Sequence, residues 1–287
     1  PAPPPLPRPA APLVGRRSEL ARLAEHLERP ATRLLSLVGP GGIGKTHLAL
    51  VAAGQVQASF LDGATFVALA ARNDRERPAG DDPLAVTLAG ALNLTLHGRR
   101  STREQLFAHL AAREMLLILD NVESMVEESR DFVQALLQAA PDLTVLVTSR
   151  EPLRLQSEEV MVLRELPVPA AGPLELAAYG DEGYAAIRLF VERARRTFSA
   201  FALNEENLEE VARICRLVGG IPLAIELAAA WVGHFNSAEI AAAIERSPTF
   251  LQTRTHDRPA RHQSMATVFN YSWELLLSHE RRALVQL

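Results

Sequence analysis

Lysine, cysteine and long apolar runs are all scarce in this chain of 287 residues. Cysteine occurs once, at Cys215, so no disulfide can form within the chain, and a reducing compartment is expected. Cys215 itself reads as a small buried hydrophobe on a helix. No apolar run approaches the roughly 18–20 residues that cross a bilayer, and the start lacks a basic-then-apolar secretion signal. A cytoplasmic protein with no membrane partner is expected. The eight histidines show no paired Cys/His spacing, so no zinc site is expected. A formal net charge of -4 and a pI near 6.1 give no general pull toward nucleic acid. The pairs Arg16-Arg17, Arg99-Arg100 and Arg281-Arg282 read as solvated faces, and no direct nucleic-acid binding by this segment is expected.

Lysine is as rare as cysteine: Lys45 is the only one, so nearly all of the 30 basic residues are arginine. A compact ammonium suits a phosphate cradle better than a planar fork, and the single lysine stands where such a cradle is written. Otherwise the composition, 48 % apolar and 22 % charged, is that of an ordinary globular protein. The length favours two or more units over one.

Residues 1–12 contain seven prolines and read as an extended, polyproline-like linker, with more chain expected upstream. Leu20, Leu23 and Leu27 recur at helical spacing behind Ser18, which predicts a short helix over 18–27 with a serine cap. Strands are predicted at 34–38, 65–69, 115–119, 144–148 and 160–163, and a helix over 46–57. The runs at 116–119 and 145–147 are apolar at successive positions, as central strands covered on both faces must be. An α/β fold follows, with an open parallel five-stranded sheet over 13–170. Beyond it the strand signal stops. Helices are predicted over 183–197, 204–217, 222–234 and 237–246, with Asn204 and Ser237 as caps and Gly219-Gly220 as a stop, making a small all-α domain over 171–258. An apolar helical rhythm resumes in 259–287 and runs to Leu287, so a third unit is expected to begin there and continue.

Gly39-Pro40-Gly41-Gly42-Ile43-Gly44-Lys45-Thr46 fits G-x-x-x-x-G-K-[ST] directly after a buried strand and at the start of a helix. The glycines let successive N–H groups face a polyphosphate, and the helix adds its positive end. Lys45 would reach the β- and γ-phosphates, and the Thr46 hydroxyl would ligate magnesium. The fold is thus expected to be a P-loop NTPase binding ATP or ADP. Leu116-Leu117-Ile118-Leu119-Asp120-Asn121 ends a second strand in a carboxylate, which places Asp120 at the magnesium water shell. Asn121 stands where many ATPases carry a second acid, and an amide cannot accept a proton. Turnover is therefore expected to be slow unless Glu123 substitutes, although Glu123 also reads as a solvated first-turn acid. Thr148-Ser149-Arg150 ends the next strand, with Thr148 near the γ-phosphate and Arg150 able to report its presence. The alternative is an edge arginine paired with Glu151. Gly219-Gly220-Ile221-Pro222-Leu223 forms a corner between two helices, with Pro222 at a tolerated first-turn position.

Val14-Gly15-Arg16, the P-loop, 116–121, Thr148-Ser149-Arg150 and 219–223 occur in one order, and in that order the sequence resembles the STAND signal-transduction ATPases. The likeness is to their NB-ARC-like group and especially to the bacterial AfsR-like and LuxR-type regulators. His262-Gln263-Ser264 and Tyr271-Ser272-Trp273-Glu274-Leu275-Leu276 also look like that branch, which often runs into a winged helix here. The resemblance implies that Val14, Gly15 and Arg16 line the adenine side, that His47 follows the P-loop at the nucleotide, and that Pro222 and Leu223 meet the nucleotide from the helical domain. It further implies a switch in which ADP holds the domains closed and exchange for ATP opens them for self-association. Upstream effector and downstream sensor domains would lie elsewhere in such a protein. A regulatory ATPase with slow hydrolysis is the first reading; a non-hydrolysing nucleotide-bound scaffold is the second. A small-molecule kinase is disfavoured because no acceptor pocket is legible. A GTPase is disfavoured because N-K-x-D needs another lysine, and an ABC ATPase because no L-S-G-G-Q stretch exists.

Overall fold

The computed structural model describes residues 4–69, 82–98, 100–180, 182–247 and 251. By its contacts the chain divides into two units: 1–39 with 45–163, and 40–44 with 164–287. The winged-helix start expected at 259–287 lies outside the described residues.

The first unit is built on five parallel strands: β1 Leu34–Val38, β2 Ala64–Ala68, β3 Leu116–Asp120, β4 Thr144–Ser149 and β5 Glu158–Val162. Their order is β2-β3-β4-β1-β5. Burial explains that order. Every residue of β1, β3 and β4 is buried, as strands covered on both faces require, whereas the edge strands β2 and β5 are partly exposed. Because β1 pairs with β4 and β5 and not with β2, the chain leaving β1 crosses to the far side of the sheet. Such a reversal opens a crevice at the carboxyl ends of the strands. Register puts Val38 beside Ser149, and Leu119 beside Val147, so the ends of β1, β3 and β4 converge there.

Helices α1 (Arg17–Leu27) and α2 (Lys45–Val56) pack on each other, and α2 lies against β1, β3 and β4 through Leu48, Ala49, Ala52 and Ala53. The helices α3 (Pro83–Ala91), α4 (Thr102–Leu110) and α5 (Val126–Ala139) close a second core, in which Leu88, Leu106, Phe132 and Leu136 meet Leu34, Leu117, Val145 and Val147. The expected serine cap of α1 is not formed. Arg16 is the N-cap residue and makes no side-chain cap, while Ser18 lies inside the helix and its hydroxyl donates to Glu19. Residues 4–12 form neither helix nor strand.

In the second unit α6 (Ala185–Thr197) packs on α8 (Pro222–Ala229), and α7 (Glu205–Leu217) on α9 (Ser237–Arg246). Asn204 caps α7 in a reciprocal box with Asn207. The cap of α9 is Asn236, boxed with Glu239, and not Ser237 as expected. The helix expected over 222–234 stops at Ala229, where 229–235 turns through Gly233 at φ 99°. Between α7 and α8, Gly219 and Gly220 take φ of 60° and 67°. At Gly220 nothing larger fits, because an added Cβ would stand 2.3 Å from the Leu166 carbonyl oxygen, and the Gly220 carbonyl accepts from the Leu166 amide at 3.0 Å.

Candidate functional site

The crevice residues of the first unit are joined by short hydrogen bonds. Thr46, in the first turn of α2, donates its hydroxyl to Asp120 Oδ1 at 2.5 Å, and Thr148 donates to the same oxygen at 2.6 Å. Asp120 is 2 % exposed and Thr148 equally buried. The Lys45 ammonium is buried and donates to the Gly39 carbonyl at 2.8 Å, so it lies back across the mouth of the loop. The Gly39 amide in turn donates to the Ser149 carbonyl at 3.2 Å, fixing the loop's entrance to β4.

Asn121 adopts φ 67°, a left-handed turn that asparagine tolerates better than most residues. Its amide N–H donates to Thr148 Oγ1 at 3.1 Å and its side-chain Nδ2 to the Leu69 carbonyl at 3.1 Å. The residue that replaces a second acid is thus occupied in tying β3 to the end of β2. Glu123 lies in the 3-10 turn Val122–Met125, with a side chain only 6 % exposed. It is not the solvated acid of one sequence reading. Arg150 Nε donates to Glu123 Oε1 at 3.2 Å, and Glu123 Oε2 is buried with no hydrogen-bond partner among the described residues. The alternative pairing of Arg150 with Glu151 is not the one formed; Glu151 is ion-paired with Arg154. Nor is Arg150 at a sheet edge, since β4 lies between β3 and β1.

Val14 and Gly15 precede α1 in the same unit, with Gly15 at φ 66°. Arg16 is 4 % exposed and bonds Glu19 Oε1 at 2.7 Å. His47 is half-buried on α2.

The crest of the loop, 40–44, belongs to the second unit. Pro40 is exposed, Ile43 buried, and Gly41, Gly42 and Gly44 are half-buried. Gly42 and Gly44 take φ of 77° and 96°, the left-handed turns that gather successive N–H groups into an anion nest. The Gly42 carbonyl accepts from the Leu223 amide at 3.1 Å. Pro222 is the first residue of α8, so this bond satisfies one of the amides that a helix start leaves open. Sequence reasoning placed Gly42 and Leu223 separately at a nucleotide; it had no signal for the backbone bond between them. It likewise missed Leu69, whose role is carried by a carbonyl.

The donors present suit the groups the motif calls for. Thr46 and Asp120 present a hydroxyl and a carboxylate, hard oxygens of the kind magnesium takes alongside water. The two left-handed glycines and the ammonium suit a polyphosphate.

Residues 12–148 match the model of the AAA ATPase domain family. Over 249 residues the chain is 33 % identical to Rv0890c of Mycobacterium tuberculosis, named as a candidate HTH-type transcriptional regulator, covering 87 % of this chain and 26 % of that protein. Over 274 residues it is 33 % identical to the uncharacterized protein Rv0894 of the same organism, covering 96 % of this chain and 64 % of that one. The chain therefore spans about a quarter of the regulator's length and less than two thirds of the other's. Among solved structures, Drosophila ORC bound to DNA superposes with a TM-score of 0.54 at 15 % identity, over 85 % of this chain and 70 % of that one. Among the described residues no helix is long and apolar enough to cross a membrane. The chain has the fold of a P-loop ATPase, and its residues 12–148 resemble an AAA ATPase domain in sequence.

Proposed function

We propose that this chain is the adenine-nucleotide switch module of a STAND-type signalling or transcription-regulatory ATPase of the bacterial NB-ARC-like branch, acting in the cytoplasm. The Gly39–Thr46 loop cradles the phosphates, and Lys45 swings from the Gly39 carbonyl to the β- and γ-phosphates. Thr46 and Asp120 would hold magnesium, which would neutralise charge on the phosphates. Arg150 meets the γ-phosphate from the end of β4. Val14, Gly15, Arg16 and His47 flank the nucleoside side, and Pro222 and Leu223 complete the nucleotide's surroundings from α8.

The observation that carries this reading is the convergence of Thr46 and Thr148 on one oxygen of Asp120, beside a lysine folded onto the loop's own first carbonyl. These are the contacts a P-loop makes among its own groups, and each is exchangeable for a phosphate or a metal ion. The Leu223 to Gly42 bond supports the switch, because a helix that reads the P-loop backbone can respond to what the loop holds. Exchange of ADP for ATP then shifts the population toward an open, self-associating form, and slow hydrolysis resets it. The likeness to a protein named as a candidate transcriptional regulator supports the regulatory setting.

The test is to identify by mass analysis the nucleotide that co-purifies, then to follow assembly by light scattering in ADP and in a non-hydrolysable ATP analogue. ADP in the purified protein and larger assemblies with the analogue are expected. A protein that binds both nucleotides yet keeps one mass throughout would instead support the scaffold reading, to which the diversion of Asn121 onto the Leu69 carbonyl lends weight.

A further inference from the structure

The edge strand of a sheet leaves a row of backbone N–H and C=O groups open, and proteins usually guard it with outward charges, proline or a bulge. At β5 those guards are missing or turned inward. The strand ends the sheet, pairs only with β1 and contains no proline. The Leu163 amide donates to the Val38 carbonyl at 2.8 Å, which sets the phase of the ladder: Glu159, Met161 and Leu163 direct their backbone groups at β1, and Val160 and Val162 direct theirs away from the sheet. Both acids of the strand are engaged within the chain. Glu158 accepts from the Leu153 and Leu155 amides at 2.9 and 3.3 Å, and Glu159 accepts from the Thr32 hydroxyl and lies 2.8 Å from His26 Nδ1. What remains outward is apolar. Val160 is 47 % exposed and Val162 59 %, and the two share one face because strand side chains alternate. The other edge of the sheet differs, since the one exposed residue of β2 is the small Ala68.

We propose that β5 is a self-association edge, to which a second copy of this chain adds its own β5 in antiparallel register about a two-fold axis at Met161. Val160 of one copy then stands opposite Val162 of the other, and each such pair exchanges both N–H···O bonds through the groups that point away from β1. Two cross-strand valine pairs form on one face. A register with Val160 opposite Val160 keeps only one valine pair and sets each Val162 against a Glu158. Charge selects the direction. Glu158 opens β5 and Arg164 follows its last residue by two. Parallel pairing lays each of these charges beside its own kind, whereas the antiparallel register sets Glu158 opposite Arg164 of the second copy. Both residues are engaged within their own chain, so the sign of the charge decides here and no new ion pair is asked of either. The contact is the same patch on both copies, so pairing consumes the edge and stops at two. A five-residue strand buries less than the roughly 1,200 Å² of stable complexes, so the dimer is weak and concentration-dependent. The pairing goes beyond the nucleotide reading and asks nothing of the P-loop.

The experiment is sedimentation equilibrium of the full, nucleotide-stripped chain from micromolar to millimolar concentration, for the parent and for Val160→Lys, Val160→Glu, Val162→Glu, Val160→Pro and Lys45→Ala. The mass of the parent is expected to rise from 31.3 kDa toward twice that value. Val160→Pro deletes an outward amide and leaves the bonds to β1 in place, and the charged variants restore the usual guard of an edge. Each of these four is expected to weaken the dimer by about tenfold or more with the circular-dichroism spectrum unchanged, and Lys45→Ala to dimerise like the parent. Register is read by mixing. Val160→Lys with Val162→Glu sets lysine opposite glutamate and is expected to regain the dimer, which also shows that both variants are folded; Val160→Lys with Val160→Glu is expected not to. Hydrogen exchange at the Val160 and Val162 amides is expected to slow as the parent is concentrated. A parent mass fixed at 31.3 kDa throughout would overturn the proposal, as would a dimer that all four edge variants leave intact. Rescue by the Val160→Glu chain in place of the Val162→Glu chain would overturn the register. Growth beyond two copies, or loss of the dimer in Lys45→Ala, would place the contact elsewhere on the molecule and overturn the assignment to β5.

Discussion

Replacing Gly42 by alanine separates two effects that usually come together at a P-loop glycine. Its φ of 77° places the residue in the left-handed region, where a Cβ costs about 1–2 kcal/mol. The same Cβ would stand 2.9 Å from Leu223 Cβ and 3.2 Å from Leu223 Cδ2, with Ile221 behind them at 3.6 Å. The nearest of these atoms is at the root of its side chain and cannot swing away, so crowding adds about 1–3 kcal/mol, the range for overpacked sites. Together the loss is about 2–5 kcal/mol. Gly44 is the control: its φ is 96°, but an added Cβ meets nothing within 4 Å, so only the backbone cost of about 1–2 kcal/mol applies. Gly54, inside α2 with open space around it, goes the other way, and alanine there gains about 0.5–1 kcal/mol. Since about 1 kcal/mol moves the melting temperature of a unit this size by a few °C, roughly 2–4 °C, scanning calorimetry on nucleotide-free protein resolves the series. The expected order of melting temperature is Gly54→Ala, parent, Gly44→Ala, Gly42→Ala. Equal melting of the Gly42 and Gly44 variants would refute the close packing of the loop crest on Leu223.

Thr148→Val removes a donor to Asp120 and the acceptor of the Asn121 amide in one step, and should cost about 1–3 kcal/mol in urea unfolding, while Thr148→Ser recovers most of it. A valine variant as stable as the parent would mean that these bonds contribute nothing. Glu159 accepts from Thr32 and its Oε2 lies 2.8 Å from His26 Nδ1, and the Thr32 hydroxyl above all holds its carboxyl below the usual range. A lowered folded value contributes stability above the ordinary carboxylate pKa and loses it as pH falls through the folded value. Glu159→Gln should therefore lessen acid destabilisation in that window; parallel acid limbs would contradict this. Burial pushes the Cys215 thiol well up, so iodoacetamide at pH 8 should label the chain only in denaturant, and rapid labelling of folded protein would show that α7 opens locally.

How much was legible in the residues differs between sheet and site. Unbroken apolar runs such as Leu116-Leu117-Ile118-Leu119 identify central strands because nothing else buries both faces, and the strands fall within two residues of their expected limits. Caps were less legible. Asn204 was read correctly, but α1 begins at Arg17 with no side-chain cap, and Ser237 follows Asn236, which took the boundary; sequence cannot rank two neighbouring candidates when the choice depends on where the helix packs. The end of α8 at Ala229 was hidden because the following Trp231, Val232 and Phe235 keep an apolar rhythm while folding into a turn with its own aromatic contacts. At the site, the P-loop, Asp120 and Thr148 are written in spacing that only one local geometry serves. The partner of Arg150 was not, since Glu123 lies 27 positions away and only the alignment of β3 beside β4 brings the two together.

The central claim is that the glycine loop and Lys45 hold an adenine nucleotide, and calorimetric titration of nucleotide-stripped protein with magnesium-ADP tests it most directly. Saturable binding near one nucleotide per chain that Lys45→Ala abolishes, with the fold intact by circular dichroism, is the predicted result. Absence of binding in the parent, or the same affinity in Lys45→Ala, would contradict it.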